Sequence, residues 1–181
     1  MINNLCGIDE AGRGPWAGPM AIAGVKLHKN IKELDDSKKL SEKKREFLYD
    51  IIIKNSSYHI VSIDNNSIDK LGLSACLKNT IEEIMQNIDA SSYLMDGNTS
   101  FGIEKLEHKI KADATVKEVS AASILAKVTR DRYMVEIAKI YSNYSFEKHK
   151  GYGTKIHKEA IIKYGFCCIH RISYNIKGVN C

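Results

Sequence analysis

The chain has 181 residues, 44% of them apolar and 27% charged, with a formal net charge of +5. That length suits one α/β domain with a sizeable core, and the composition excludes collagenous, low-complexity and disordered classes. No apolar run reaches the roughly 18 residues that span a bilayer. Met1-Ile2-Asn3-Asn4 also lacks the basic start and long apolar stretch of a signal peptide, so a cytoplasmic protein without a membrane partner is expected.

In chain order, Asn4 to Asp9 reads as a short strand that runs into a glycine-rich turn, Ala11-Gly12-Arg13-Gly14-Pro15. Met20 to Leu27, rich in small and β-branched residues, is a second strand, so the pair suggests a hairpin with an unusually wide turn. Ser41 is a candidate N-cap for a helix carrying Phe47, Leu48, Ile51 and Ile52 at helical spacing. Tyr58 to Ile63 follows as a strand. Ser67 to Ile88 reads as helix in one or two pieces, with Leu73, Leu77, Ile81 and Ile84 on one face. Tyr93 to Met95 is a short strand that ends at Asp96-Gly97, and His108 to Ile110 is a candidate for one more. A long helix is expected from Val116 to Tyr141 and a last one from Lys155 to Tyr164. Strands followed by alternating helices and strands indicate an α/β fold with a mixed sheet. Residues 1–144 form the expected catalytic domain, and residues 145–181 a small helical C-terminal extension. With no coiled-coil pattern, a monomer is expected.

The pI near 8.8 permits a polyanionic partner without demanding one. Cations cluster at Lys38, Lys39, Lys43, Lys44 and Arg45, again at Lys148, Lys150, Lys155 and Lys158, and at Arg171. These blocks are either rims of one groove or unrelated exposed faces. The five cysteines show no C-x-x-C spacing, an odd count cannot pair completely, and Cys167 and Cys168 are adjacent. Reduced, mostly buried thiols follow, not a disulfide frame or zinc site.

Acidic residues stand at or just beyond strand ends: Asp9-Glu10, Asp96 and Asp113. Carboxylates that converge from separate strands repel one another unless cations sit among them, and hard oxygen ligands favour Mg²⁺ or Mn²⁺. Two such ions about 4 Å apart can hold an attacking water and a leaving oxygen in line on one phosphate. An aspartate after a strand also commonly caps a turn, and convergence is not legible in sequence. Gly12-Arg13-Gly14 offers backbone N–H groups and a guanidinium to a sugar or phosphate, yet it is neither a P-loop nor a dinucleotide fingerprint. Tyr152, between Gly151 and Gly153, is either a stacking platform or part of a tight loop before the last helix. Ser123, Lys127 and Arg130 or Asp131 share a helix face, which points either to solvent or to the acidic positions. The six histidines have neither metal nor catalytic spacing, so His149, His157 and His170 read equally well as structural or surface residues. The residues alone thus reach a metal-dependent nuclease or phosphoryl-transfer enzyme.

Taken together, the segments resemble bacterial type 2 ribonucleases H, the ribonuclease HII family. The resemblance rests on Gly7-Ile8-Asp9-Glu10-Ala11-Gly12-Arg13-Gly14-Pro15, Asp35-Asp36-Ser37-Lys38-Lys39-Leu40, Met95-Asp96-Gly97-Asn98 and Lys111-Ala112-Asp113. It continues through Ser120-Ala121-Ala122-Ser123-Ile124-Leu125-Ala126-Lys127-Val128-Thr129-Arg130-Asp131, Gly151-Tyr152-Gly153-Thr154 and Ile169-His170-Arg171. The segments occur in the family's order across almost the whole chain. Trp16 stands where a smaller aliphatic is more usual, and Phe166-Cys167-Cys168 lacks the proline expected before Ile169.

The resemblance implies a ribonuclease H-like fold: a central mixed sheet flanked by helices, plus a short helical C-terminal extension. It implies that Asp9, Glu10, Asp96 and Asp113 are the catalytic carboxylates and hold two Mg²⁺ or Mn²⁺ ions. Gly12, Arg13 and Gly14 match the turn that reads the ribose 2′-hydroxyl, and Tyr152 the tyrosine that stacks on the next sugar. Ser37, Lys38, Ser123 and Lys127 are candidate phosphate contacts, and Asp131 an auxiliary acid near the site. The implied partners are RNA/DNA hybrids and duplex DNA containing ribonucleotides, with a place in ribonucleotide excision repair and DNA replication. The implied cut falls on the 5′ side of a ribonucleotide. Two competing readings stand beside it. Another nuclease or strand-transfer enzyme on the same fold would show no ribonucleotide preference. A non-enzymatic binding module would bind without metal and lose affinity with salt.

Overall fold

The computed structural model describes residues 4–34 and 40–178, so the expected contacts Ser37 and Lys38 lie outside the described residues. A five-stranded sheet has the order β3-β2-β1-β4-β5, built from β1 (Leu5–Ala11), β2 (Met20–Leu27), β3 (Ser56–Ile63), β4 (Ser92–Asp96) and β5 (Leu106–Lys109). The first three strands pair antiparallel, whereas β4 joins β1, and β5 joins β4, in parallel. The expected mixed sheet and flanking helices are therefore present. The last strand lies slightly earlier than its sequence pattern suggests.

The helices are α1 (Glu42–Lys54), α2 (Asn65–Leu71), α3 (Leu73–Asn87), α4 (Lys117–Ile140), α5 (Phe146–His149) and α6 (Lys155–Tyr164). Ser41 caps α1 by accepting a hydrogen bond from the Lys44 amide at 3.3 Å. The apolar stretch that follows β3 is broken into α2 and α3 at Gly72, whose φ of 80° no helix can accommodate. Among the described residues no helix is long and apolar enough to cross a membrane.

Alternation along β2 builds two cores. Ala21, Ala23 and Val25 face α1 and α4, while Met20 and Ile22 face α2 and α3. In β1 the same alternation sends Cys6 and Ile8 toward α3. Gly7 points the other way, against the backbone of Glu118 and Val119 at the start of α4. A Cβ at Gly7 would overlap that backbone, so its absence sets how closely α4 lies on the sheet. The small residues Ala121, Ala122 and Ala126 continue the close packing along the helix.

A third core joins Ala17 from the β1–β2 connection, Met134 and Ala138 from α4, and Tyr144, Phe146, Ala160, Ile161, Ile169 and Ile176 from the C-terminal segment. Three buried histidines thread this core. His149 donates from Nε2 to the Tyr144 carbonyl at 2.8 Å and accepts at Nδ1 from the Gly151 amide. His157 Nδ1 lies 3.0 Å from the Tyr152 carbonyl and donates to it, which leaves Nε2 to accept from His170 Nε2 at 3.1 Å. His170 Nδ1 then accepts from the Cys167 amide at 2.9 Å. With all three rings neutral, every ring nitrogen is satisfied. Burial pushes His157 and His170 down to about 4 and lowers His149 as well. These histidines therefore take the structural alternative.

A histidine held neutral in the fold protonates on unfolding, so its contribution is complete above the unfolded pKa of about 6.5 and is lost as pH falls toward the folded value of about 4. Thermal unfolding should therefore show a stability loss between pH 6.5 and 4 that is shallower in the His157→Gln variant. Parallel pH profiles for the two proteins would show that the histidine chain does not carry this dependence.

Candidate active site

Strand register brings the acids together. The parallel pairing of β1 with β4 sets Ile8 beside Met95, so Asp9 and Asp96 are the next residues on adjacent strands. Asp113 arrives from a short 3-10 turn, Ala112–Ala114, just ahead of α4. Ligand oxygens of Asp9, Asp96 and Asp113 all lie within 4.8 Å of one another. The Asp96 carboxylate accepts from the Ala112 amide at 2.8 Å, which ties the end of β4 to the turn that carries Asp113. Asp9 accepts from the Glu10 amide at 2.8 Å and from the Ser123 hydroxyl on α4.

Glu10 stands beside this trio and is not among the three closest acids. One of its oxygens accepts from Arg13 Nη1 at 3.2 Å, and the other, Oε2, is buried with no hydrogen-bond partner among the described residues. Burial, then the neighbouring Glu10 carboxylate, push the Asp9 pKa well above its ordinary value. Burial likewise raises Glu10, with Arg13 opposing. Holding these groups ionised requires positive charge in their midst. The donor set consists only of hard oxygens, it is tightly spaced, and one more buried oxygen of Glu10 is unused, so the residues fit a divalent cation of the Mg²⁺ or Mn²⁺ type.

The acids open onto a cleft of about 490 Å³ lined by Asp9, Glu10, Asp96, the Gly12-Arg13-Gly14 turn, Arg45, Ser123, Lys127 and Tyr152. The helix face with Ser123 and Lys127 thus turns toward the acids and not to solvent. Asp131 does not line the cleft. It holds the Lys127 ammonium at 2.8 Å, one helical turn away. Asp113 lines a smaller cavity of about 180 Å³.

Three features were not legible in the sequence roles. Arg45, read only as part of a basic block, reaches the cleft wall. Arg171, counted among the surface cations, is fully buried and makes no groove rim. Its guanidinium donates to the carbonyls of Gly12 at 2.7 Å, Arg13 at 3.0 Å and Gly18 at 2.9 and 3.0 Å, holding the glycine turn from below. Arg130 is buried too, on the stripe that continues through Met134 and Ala138, and a Cβ at Gly12 would collide with it. The available signal was a charge on the apolar face of a helix, which demands buried acceptors. Cys6, Cys76, Cys167 and Cys168 are free thiols, of which only Cys6 and Cys76 are buried, while Cys167 is half-buried and Cys168 exposed.

The sequence matches the family described as Ribonuclease HII over residues 6–177. It is 57% identical over 180 residues to the ribonuclease HII of Aliarcobacter butzleri, an alignment that covers 98% of this chain and 94% of that one. Against the ribonuclease HII of a Sulfurovum species the identity is 56% over 176 residues, with 97% and 94% covered. The crystal structure of ribonuclease H2 from Pyrococcus horikoshii superposes with a TM-score of 0.76 at 28% identity, covering 94% of this chain and 93% of that one.

Removing one acid relieves the repulsion in the metal-free protein but also removes a ligand. Asp9→Asn should therefore unfold at a temperature no lower than the parent in chelator, while losing most of the upward shift that Mg²⁺ or Mn²⁺ gives the parent. An unchanged metal-induced shift in the variant, measured by scanning fluorimetry, would remove Asp9 from the metal site.

Proposed function

The chain belongs to the ribonuclease HII family and is a metal-dependent ribonuclease H of type 2; on that premise we propose that it hydrolyses the phosphodiester on the 5′ side of ribonucleotides. The substrates are RNA/DNA hybrids and duplex DNA with single embedded ribonucleotides, and the products carry 3′-hydroxyl and 5′-phosphate ends. The observation that carries this reading is one cleft in which the acids share a wall with the Gly12-Arg13-Gly14 turn and Tyr152.

Asp9, Glu10, Asp96 and Asp113 would hold the metal, two ions in the catalytic complex. Bound there, Mg²⁺ or Mn²⁺ supplies Lewis-acid activation of water and stabilisation of the leaving oxygen. The protein's own groups do the rest. The Gly12-Arg13-Gly14 backbone and side chain meet the ribose 2′-hydroxyl, the atom that distinguishes RNA from DNA. Tyr152, 42% exposed at the cleft edge, stacks on the following sugar. Lys127, steered by its ion pair with Asp131, and Ser123 meet the phosphate. Ser37 and Lys38 are proposed as further phosphate contacts. Hydrolysis adds water across the bond between phosphorus and the 3′-oxygen of the preceding nucleotide, so the phosphate stays on the ribonucleotide. The 2′-hydroxyl of that ribonucleotide is a recognition handle and not the nucleophile. The protein is proposed to act as a monomer in the removal of ribonucleotides from DNA.

An end-labelled DNA duplex with one ribonucleotide tests the reading directly, beside an all-DNA duplex and an RNA/DNA hybrid, in Mg²⁺, Mn²⁺ and chelator. The expected result is metal-dependent cutting on the 5′ side of the ribonucleotide, with all-DNA untouched. Asp96→Asn should cut turnover by roughly a hundredfold or more. Cutting of the all-DNA duplex at the same rate would overturn the substrate assignment.

Gly14 offers a finer check, because a Cβ there meets nothing within 4 Å and the fold has room for alanine. Gly14→Ala should melt like the parent yet lose preference for the ribonucleotide, since the methyl group crowds the approach to the sugar. Retained preference would exclude Gly14 from sugar recognition.

A further inference from the structure

The two elements proposed to recognise the sugars come from opposite ends of the chain, and their spacing must be fixed before either can report on a junction. Arg130 spans the seam between them. It is 1% exposed, yet among the described residues its hydrogen-bond acceptors are all backbone carbonyls. Nε donates to Pro19 at 2.8 Å, and Nη2 donates to Ala17 at 3.2 Å, both in the connection that follows the glycine turn. The same Nη2 donates to Lys150 at 2.9 Å, in the loop that carries Tyr152. The guanidinium carbon also lies 5.6 Å from the centre of the Tyr152 ring.

The same group packs against Gly12, where a Cβ would collide with Nε, so one planar group touches both recognition elements. Other contacts close the same seam. The Trp16 amide donates to the Gly151 carbonyl at 2.9 Å, and Gly151 packs so closely on the Ala17 carbonyl that a side chain there would collide. Burying a guanidinium with only carbonyl partners is costly, and an apolar side chain would fill the space with less penalty. What an apolar group cannot supply is the fixed fork of donors that ties two loops at set distances.

We infer that Arg130 is a positioning residue that sets the spacing between the Gly12-Arg13-Gly14 turn and Tyr152, and so the selectivity for a ribonucleotide junction. This rests on the reading of those two elements given above. Among the described residues Arg130 hydrogen-bonds Pro19, Ala17 and Lys150 and not the carboxylate trio, so the metal-induced shift is expected to survive its substitution.

The test is a double-mutant cycle of Arg130→Lys with Tyr152→Ala, assayed for kcat/KM on the single-ribonucleotide duplex and on an RNA/DNA hybrid. Lysine keeps the charge but cannot reach three carbonyls in one plane. Arg130→Lys should lower kcat/KM on the single-ribonucleotide duplex about tenfold more than on the hybrid, and the same change in the Tyr152→Ala background should cost less than about twofold. Arg130→Met, which has no charge to bury, carries the same expectation should the lysine variant fail to fold. Thermal unfolding and an unaltered metal-induced shift mark each variant as folded. Equal losses on both substrates, or a loss that is the same in both backgrounds, would reduce Arg130 to a packing residue and overturn the inference alone. If Tyr152→Ala keeps the junction preference, the ribose-sensing reading fails and takes the inference with it.

Discussion

Three carboxylates forced within 4.8 Å of one another are the costliest feature of this molecule, and the architecture around them is organised to keep them there. Asp9 is almost wholly buried, and burial together with the charge of Glu10 opposes its ionisation. Left to a flexible chain, such groups would separate into water. Here each is fixed from a different element: β1 for Asp9, β4 for Asp96, and the turn before α4 for Asp113. The hydrogen bond from Ala112 to Asp96 ties the turn to β4, and the one from Ser123 to Asp9 ties α4 to β1. Gly7 makes this possible, because α4 can lie directly on β1 only where no side chain intervenes. A rigid anionic cavity of this kind stores electrostatic strain that a divalent cation relieves, a familiar exchange of stability for function.

The second constraint is the seam between the β1–β2 connection and the C-terminal segment. Arg171 holds the glycine turn through three backbone carbonyls, while Arg130 joins the same connection to the Tyr152 loop. Behind them, the chain of neutral histidines fixes the Tyr152 carbonyl from inside the third core. The cleft therefore joins groups of different character. One side is acidic and repels phosphate unless metal is present. The other side carries the glycine turn with the Arg13 guanidinium, the Tyr152 ring, and the cations Arg45 and Lys127. On the proposed reading, the acids serve the chemistry and the turn with Tyr152 chooses where it happens.

The expectations drawn from sequence and the folded protein part company at particular residues. The N-cap at Ser41 is encoded locally and appears as expected, and Gly72 settles that the helical stretch after β3, open in sequence as one or two pieces, comes in two. Arg171 misled because a basic residue in a polar tail carries no local mark of burial. Its acceptors are the carbonyls of Gly12, Arg13 and Gly18, far away in the chain. Arg130 shares the helix face of Ser123 and Lys127, but its neighbours from the C-terminal segment turn its end of that face into core. The histidines gave no spacing signal because their partners are one another and backbone amides and carbonyls, brought together only by tertiary packing.

By itself the sequence determined the element types, the mixed α/β class, the acidic positions at strand ends and the resemblance to ribonuclease HII. These follow from side-chain periodicity, turn chemistry and ordered motifs, all of which are readable along the chain. Tertiary structure alone decided that Asp9, Asp96 and Asp113 meet while Glu10 stands aside with Arg13, and that Arg45 reaches the cleft. It also decided that two arginines leave the surface to join distant loops. The physical reason is that convergence depends on a parallel register between β1 and β4 and on the depth at which α4 seats against Gly7. Both are set by packing between segments far apart in sequence, and no local pattern encodes them.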